Sequence, residues 1–395
     1  MRIYGIDVAS EVHVVCGIDV EGEVVLKATR VEESGAGHDK LLGLLGETTG
    51  VLVVMEATGP YWKNLFARLS MAGFAVAVVN PLAVRRYAES LPTRAKTDAA
   101  DALLIARFGQ AMRPRPAAMP DDQLEELREL MRLRDRWVQD LGDRVRQLHR
   151  LVDLGFPELT RHVKDLGSGI ATALLTRCPT AAAFRNVKPS TLTKLTYDGR
   201  HHVPEEVATA VIEAAKYSAG MHHGDALKIG VVTTCEDIDV LRGRVRDADR
   251  NIGKLIENSE LGALLQTIVG IGPTTAARIL AEFGDPSTYA SAGAFAAHFG
   301  VVPATNHSGK STPSRAGSTA FGDAKLRAKL WMPTLTAVVR NSWLKAFYER
   351  LVTAGKPAKV ALIASMRKLI TAIYSVAKSR KPFEARLSTT IQTTC

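Results

Sequence analysis

Cysteine is scarce: Cys16, Cys178, Cys235 and Cys395 are the only four in 395 residues, and none forms a CxxC pair. That spacing excludes a zinc ribbon, and so few thiols argue for a reducing, cytoplasmic setting. A GxxxxGK[ST] phosphate loop is missing, which removes P-loop nucleotide hydrolases. The Gly-rich loops of an actin-like ATPase are also missing, although the chain opens on a Gly-Ile-Asp strand. No apolar run is expected to reach the length of a membrane span, and the first strand begins too early for a signal peptide. Acidic residues are the scarcer charge: 41 Asp and Glu against 51 Lys and Arg give a formal charge of +10 and a pI near 9.5. The shortage is local, since Lys325 to Lys381 holds a single acid, Glu349. Such a balance fits a polyanionic partner. A chain of this length exceeds one typical core, so two or three domains are expected.

Four of the acids stand out by position. Asp7 ends the apolar run Ile3-Tyr4-Gly5-Ile6, and Glu56 ends Val51-Leu52-Val53-Val54-Met55. Both runs read as buried strands of a mostly parallel sheet, which binds ligands at the carboxyl ends of its strands. Asp98 and Asp101 lie three apart in a helix-forming stretch and share one face. Each acid alone is more usually a turn, cap or solvated residue. Together they suit two Mg²⁺ ions clamping a phosphodiester for in-line displacement.

Residues 1–115 alternate strand and helix after three early strands, the order of a ribonuclease H-like domain. The predicted elements are Ile3–Ile6, Val12–Ile18, Glu23–Lys27, a helix at Asp39–Leu45, Val51–Met55, a helix at Tyr61–Ala72, and Ala75–Val79. Asn80-Pro81 reads as a stop before the Asp98 helix, and Arg113 to Pro120 as a linker. Residues 116–260 are expected to be a helical linker region with coiled-coil segments. Leu127, Met131, Val138, Leu141, Val145, Leu148 and Val152 form one seam, broken at Arg134. Ile238, Leu241, Val245, Ala248, Ile252 and Leu255 form the second, weakened as a helix by Gly243 and Gly253. The two could pair as an antiparallel hairpin or across a subunit interface. Residues 158–225 between them show little pattern, and the adjacent pairs His201-His202 and His222-His223 point to different faces, a poor arrangement for shared metal ligation.

Residues 261–395 read as mainly helical. Gly270-Ile271-Gly272-Pro273-Thr274 resembles a helix-hairpin-helix turn, in which bare backbone approaches a phosphate at a helix N-terminus, though a plain tight turn fits as well. Ser308, within Asn306-His307-Ser308-Gly309-Lys310, is a candidate nucleophile, with no obvious general base beside it. Lys325–Arg340, kinked or split by Pro333, and Lys359–Lys378 are expected helices with basic flanks. The candidate nucleic-acid-binding set is Gly270, Gly272, Thr274, Lys310, Arg315, Lys325, Arg327, Arg367 and Lys368.

Taken in order, Gly5-Ile6-Asp7-Val8-Ala9, Met55-Glu56-Ala57-Thr58-Gly59, Lys96-Thr97-Asp98-Ala99-Ala100-Asp101-Ala102, Gly270-Ile271-Gly272-Pro273 through Gly284-Asp285, Phe299-Gly300-Val301-Val302-Pro303, His307-Ser308-Gly309-Lys310 and Ala346-Phe347-Tyr348-Glu349-Arg350 resemble the insertion-sequence-110 family of transposases, with its Piv-type invertases. The resemblance spans nearly the whole chain. It implies a RuvC-like domain whose Asp7, Glu56, Asp98 and Asp101 form a metal-binding tetrad. It also implies a transposase domain whose serine, Ser308 by position, forms a covalent link to DNA. Asn306-His307 before that serine and Lys310-Ser311 after Gly309 depart from the commoner pattern, which leaves Ser311 as second candidate. Double-stranded DNA at the element junction and target, a structured guide (bridge) RNA from the same element, and a homodimer or tetramer are the implied partners. The alternative is a structure-selective metal-dependent DNA nuclease that uses water. A non-catalytic nucleic-acid-binding protein would explain the charge but not the four carboxylates.

Overall fold

Short β-branched runs in the first hundred residues build a five-stranded sheet: β1 (Arg2–Asp7), β2 (Val12–Ile18), β3 (Val24–Glu32), β4 (Val51–Glu56) and β5 (Ala75–Val79). The computed structural model describes residues 1–91, 97–119, 121–301 and 322–385. It divides into two units, Met1–Asp121 and Asp122–Cys395. In the first, the strand order is β3-β2-β1-β4-β5. β2 runs antiparallel to β1 and β3, while β4 and β5 run parallel to β1. This mixed sheet has the expected ribonuclease H-like order.

Alternation along the strands sorts side chains to two faces. Ile3, Leu52, Val54 and Ala77 share a cluster with Ile105, Ala106 and Phe108 of the helix α4 (Asp98–Met112). Tyr4, Ile6, Val53 and Met55 face α1 (Gly35–Leu45) and α2 (Trp62–Met71). Two readings need correction. β3 continues to Glu32 instead of ending at Lys27. Asn80-Pro81 starts a helix instead of stopping the chain: the Asn80 side chain accepts the Leu82 N–H (2.8 Å), and Pro81 opens α3 (Pro81–Glu89), where its missing N–H costs nothing.

Among its described residues the second unit is helical apart from one short hairpin. Its long helices α5 (Asp122–Gly155) and α11 (Asp225–Glu257) lie antiparallel within the chain, since Arg134 pairs with Asp249 and Arg144 with Asp237. The polar break in the first seam therefore has a partner: Arg134 Nε lies 2.6 Å from Asp249. Gly243 and Gly253 do not interrupt α11. The poorly patterned stretch is α6 (Leu159–His162), α7 (Gly169–Arg177), α8 (Ala181–Arg185), α9 (Pro189–Leu192), the hairpin β6 (Thr196–Tyr197) and β7 (His201–His202), and α10 (Glu205–Lys216). α6, α8 and α9, of four or five residues, span less than two turns and show no period, yet the segment encloses a core around Phe156, Leu174, Phe184 and Val211.

The remaining helices are α12 (Glu260–Gln266), α13 (Pro273–Phe283), α14 (Ala292–His298), α15 (Ala324–Lys329), α16 (Trp331–Arg340), α17 (Ser342–Thr353) and α18 (Ala358–Ser379). The predicted Lys325–Arg340 helix breaks at Leu330, which puts Pro333 in the first turn of α16. Contrary to expectation, α18 is long and apolar enough to cross a membrane by length and composition, at a mean hydropathy of 1.5. Its Leu362, Met366, Leu369, Ile370, Ile373 and Val376 fill the largest core of this unit, so it is apolar as a core helix.

Candidate metal centre

Asp7 and Glu56 end adjacent parallel strands, and strand alternation sends both to the α4 face. On that face Gly5 lets α4 lie against β1: a Cβ there would overlap the Ala102 carbonyl oxygen and the Ala106 amide nitrogen. Gly109 meets Val54 and Ile3 in the same way one turn on. The close seam sets the first turn of α4 beside the strand ends. That turn is capped by the Thr97 hydroxyl, which accepts the Ala100 N–H (3.2 Å), and it carries Asp98 and Asp101. Sequence reading missed this role of Gly5; a glycine inside a buried strand was the available signal.

The four acids meet electrostatically. Burial first, then Asp101, Asp98 and Glu56, push the Asp7 carboxyl from its ordinary 3.8 up to about 6. Among the described residues, the influences on it are burial and negative charge alone. Asp7, Glu56 and Asp101 are half-buried and Asp98 is exposed, so the cluster is open to a ligand from solvent. A donor set made only of carboxylate oxygens fits a hard divalent cation such as Mg²⁺, and the unrelieved repulsion at Asp7 is what such an ion would remove.

A second cluster, unforeseen in the sequence, lies on the opposite face. His13 Nε2 and His38 Nε2 approach the same Glu33 oxygen at 2.5 and 3.0 Å. Among the described residues, these three bring their ligand atoms within 4.8 Å of one another, a His/Glu cluster capable of coordinating a divalent metal. His13 is fully buried. Its Nδ1 accepts the Ala9 N–H (3.3 Å), which leaves the imidazole proton on Nε2, facing Glu33. Asn64 donates to the other Glu33 oxygen (3.2 Å). Burial raises the Glu33 carboxyl, but hydrogen bonds from His13, His38 and Asn64 outweigh it and hold the pKa low. Residues 20 and 25 apart in sequence carry no ligand-spacing signal, so nothing along the chain announced this group.

Ser308, Lys310 and Arg315, with Ser311 and Lys96, lie outside the described residues. Of the turn glycines, Gly270 adopts φ +108° with its bare backbone against Ala337 and the Pro333 carbonyl, while Gly272 is exposed with open space around it. Thr274 is half-buried in the first turn of α13. Lys325 and Arg327 lie on α15, where Arg327 donates to the Phe299 carbonyl (3.2 Å). Arg367 and Lys368 lie half-buried on α18.

Comparison with known proteins agrees with the motif order. A family model described as a transposase, of the DEDD type named for IS110, matches residues 4–157. A second, the transposase IS116/IS110/IS902 family, matches residues 262–349. The IS116 insertion-element 44.8 kDa protein of Streptomyces clavuligerus is 29% identical over 96% of this chain and 95% of its own length. The pilin gene-inverting protein of Moraxella bovis is 26% identical over 86% of this chain and 84% of its own. RuvC of Thermus thermophilus aligns with 30% of the chain at 20% identity and a TM-score of 0.23, too slight a likeness to argue from. With both family models matched in order and relatives aligned along most of its length, the chain belongs to the IS110/IS116/IS902 family of transposases and recombinases.

Proposed function

We propose that this DNA transposase cuts and exchanges strands through a covalent serine–DNA intermediate, guided by a structured RNA from its own element. The observation that carries the metal-dependent part is the gathering of Asp7, Glu56, Asp98 and Asp101, whose mutual repulsion no cation among the described residues answers. The names of the relatives, a pilin gene-inverting protein and a putative transposase of a mini-circle, support DNA strand exchange as the reaction.

In this reading Asp7 and Glu56 supply oxygen ligands from rigid strand ends, and Asp98 and Asp101 supply them from the capped first turn of α4. Two Mg²⁺ ions bound there would neutralise charge on the non-bridging phosphate oxygens. Ser308 Oγ attacks phosphorus, a P–O bond to the DNA breaks, and the departing oxygen leaves as a DNA hydroxyl end. The phosphoserine ester keeps the energy of the broken bond, so rejoining needs no ATP. Residues 1–115 would provide the carboxylates and residues 261–395 the serine. Residues 116–260 would serve as a coiled-coil region joining subunits into a dimer or tetramer. Gly272, Thr274, Lys310, Arg315, Lys325, Arg367 and Lys368 would bind nucleic acid, with Gly270 and Arg327 shaping that surface. The setting is the bacterial cytoplasm, at the nucleoid.

The test is incubation of the protein with element DNA, its flanking RNA and Mg²⁺, followed by a denaturing gel and peptide mapping. A nucleotide on Ser308 supports the reading, and one on Ser311 or Ser314 moves the nucleophile. Cleavage with no protein–DNA adduct replaces it with a water-using nuclease.

A further inference from the structure

A cavity of about 820 Å³ opens between α17, α18 and the segment that follows α18. That is within the size range of small-ligand sites. Trp343 and Phe347, four apart on α17, form one wall, and Phe383 meets Trp343 edge-on at 5.4 Å. The facing wall is a polar stripe along an otherwise apolar helix: Arg367, Thr371 and Ser375, each four residues from the last. Thr371 and Ser375 are exposed. The Lys368 ammonium sits 4.6 Å from the Trp343 ring centre and 4.4 Å from that of Phe347, within cation–π range. Lys381, exposed, also lines it, and among the described residues Glu384 is the one acid in the lining.

We propose that this cavity holds a single unpaired nucleotide, its base taking the place of the Lys368 ammonium against Trp343 and Phe347 and its phosphate met by Arg367, Lys381 and the displaced Lys368. The proposal rests on the nucleic-acid reading above and narrows it. Each chemical element matches: aromatic faces for a π-surface, hydroxyls for base or sugar edges, and three cations for a phosphate. An apolar peptide would have no use for the cations, and a duplex keeps its base faces stacked on their neighbours. Lys368 itself favours an anion. Burial, with Arg350 nearby, holds its pKa below that of an ordinary lysine, and an arriving phosphate would relieve that strain by offering opposite charge.

The test is fluorescence anisotropy of the full-length protein without Mg²⁺, using labelled dT15, rU15 and a 30-base-pair duplex. Phe347 is half-buried and lies outside the core cluster, so Phe347→Leu spares the fold. That variant is expected to lose about tenfold in affinity for the single strands, the scale of one stacked base, and less than twofold for the duplex. Photocross-linking of 5-iodouracil in the same oligomers should map to Trp343, Phe347 or Phe383, a readout independent of any loss of stability. A tighter rU15 would assign the nucleotide to RNA and a tighter dT15 to a DNA strand, and either order supports the site. Unchanged single-strand affinity, parallel loss on the duplex, or cross-links confined elsewhere would overturn it. If duplex binds and neither single strand does, the pocket alone fails. If nothing binds, the nucleic-acid reading fails with it.

Discussion

On one face of the N-terminal sheet, Glu33 is gripped by His13, His38 and Asn64, and its carboxyl is held below the ordinary range. On the other face, Asp7 lies among Asp101, Asp98 and Glu56, and its carboxyl is pushed up to about 6. Both acids sit at or just beyond strand ends and both are partly buried. What separates them is who answers the charge. Glu33 is answered by its own chain, through His13, His38 and Asn64. Among the described residues Asp7 is answered by no opposite charge, and in the proposed reading a bound cation would supply it.

The largest effect should come from disturbing the unanswered cluster. Asp7→Asn, Glu56→Gln and Asp101→Asn should each lower strand exchange by at least about 10³-fold. Metal-free thermal stability should hold or rise, because each change removes like-charge repulsion. A variant that recombines at the wild-type rate would remove its residue from the centre. Next, Gly5→Ala should destabilise the fold by about 1–3 kcal/mol through overpacking and impair exchange as well, because α4 carries Asp98 and Asp101 away from Asp7. Denaturant melts and exchange assays on the same preparation test both halves, and a neutral Gly5→Ala would show that the seam does not position the site.

Glu33→Ala should do the reverse of the tetrad variants. It leaves the buried His13 Nε2–H without an acceptor, a loss of about 1–3 kcal/mol, yet exchange per folded molecule should stay within a few-fold. Loss of activity without loss of stability would contradict the division between the two faces.

One side of this contrast, the Asp7 cluster, was legible in the sequence, and the missing side has a physical reason. Asp7 and Glu56 could be placed because each closes a short apolar run read as a buried strand, and a period of two fixes which face the last side chain takes. Asp98 and Asp101 followed from their helical spacing. The contact between β1 and α4 was not legible: Gly5 and Ala106 are a hundred residues apart, and only packing shows that there is no space between them. The Glu33 cluster was missed for the same reason, as three residues from β2, the end of β3 and α1 meet only once the sheet forms. The helices α6, α8 and α9 were hidden by having too few turns to show a period, and α3 by the double meaning of Asn-Pro.

A smaller effect concerns pH. Asp7 has a folded pKa of about 6 against an ordinary 3.8. In metal-free protein the folded state therefore retains a proton that the unfolded chain releases, and stability falls as pH rises from about 4 to 6 and is flat above. The stability gap between Asp7→Asn and wild type should be near zero at pH 4 and reach about 1–2 kcal/mol above pH 6, allowing for solvent screening at a half-buried site. Chemical denaturation across that range measures it, and a gap that does not change with pH would contradict the raised carboxyl.

The most direct measurement is a calorimetric titration of Mg²⁺ into metal-free wild type, Asp7→Asn and Glu33→Gln, run near pH 6 in two buffers of different ionisation heat. Wild type and Glu33→Gln should bind Mg²⁺ and release a proton, seen as a heat that depends on the buffer, while Asp7→Asn should show little binding. Undiminished binding by Asp7→Asn together with its loss in Glu33→Gln would contradict the account and move the metal to His13, Glu33 and His38.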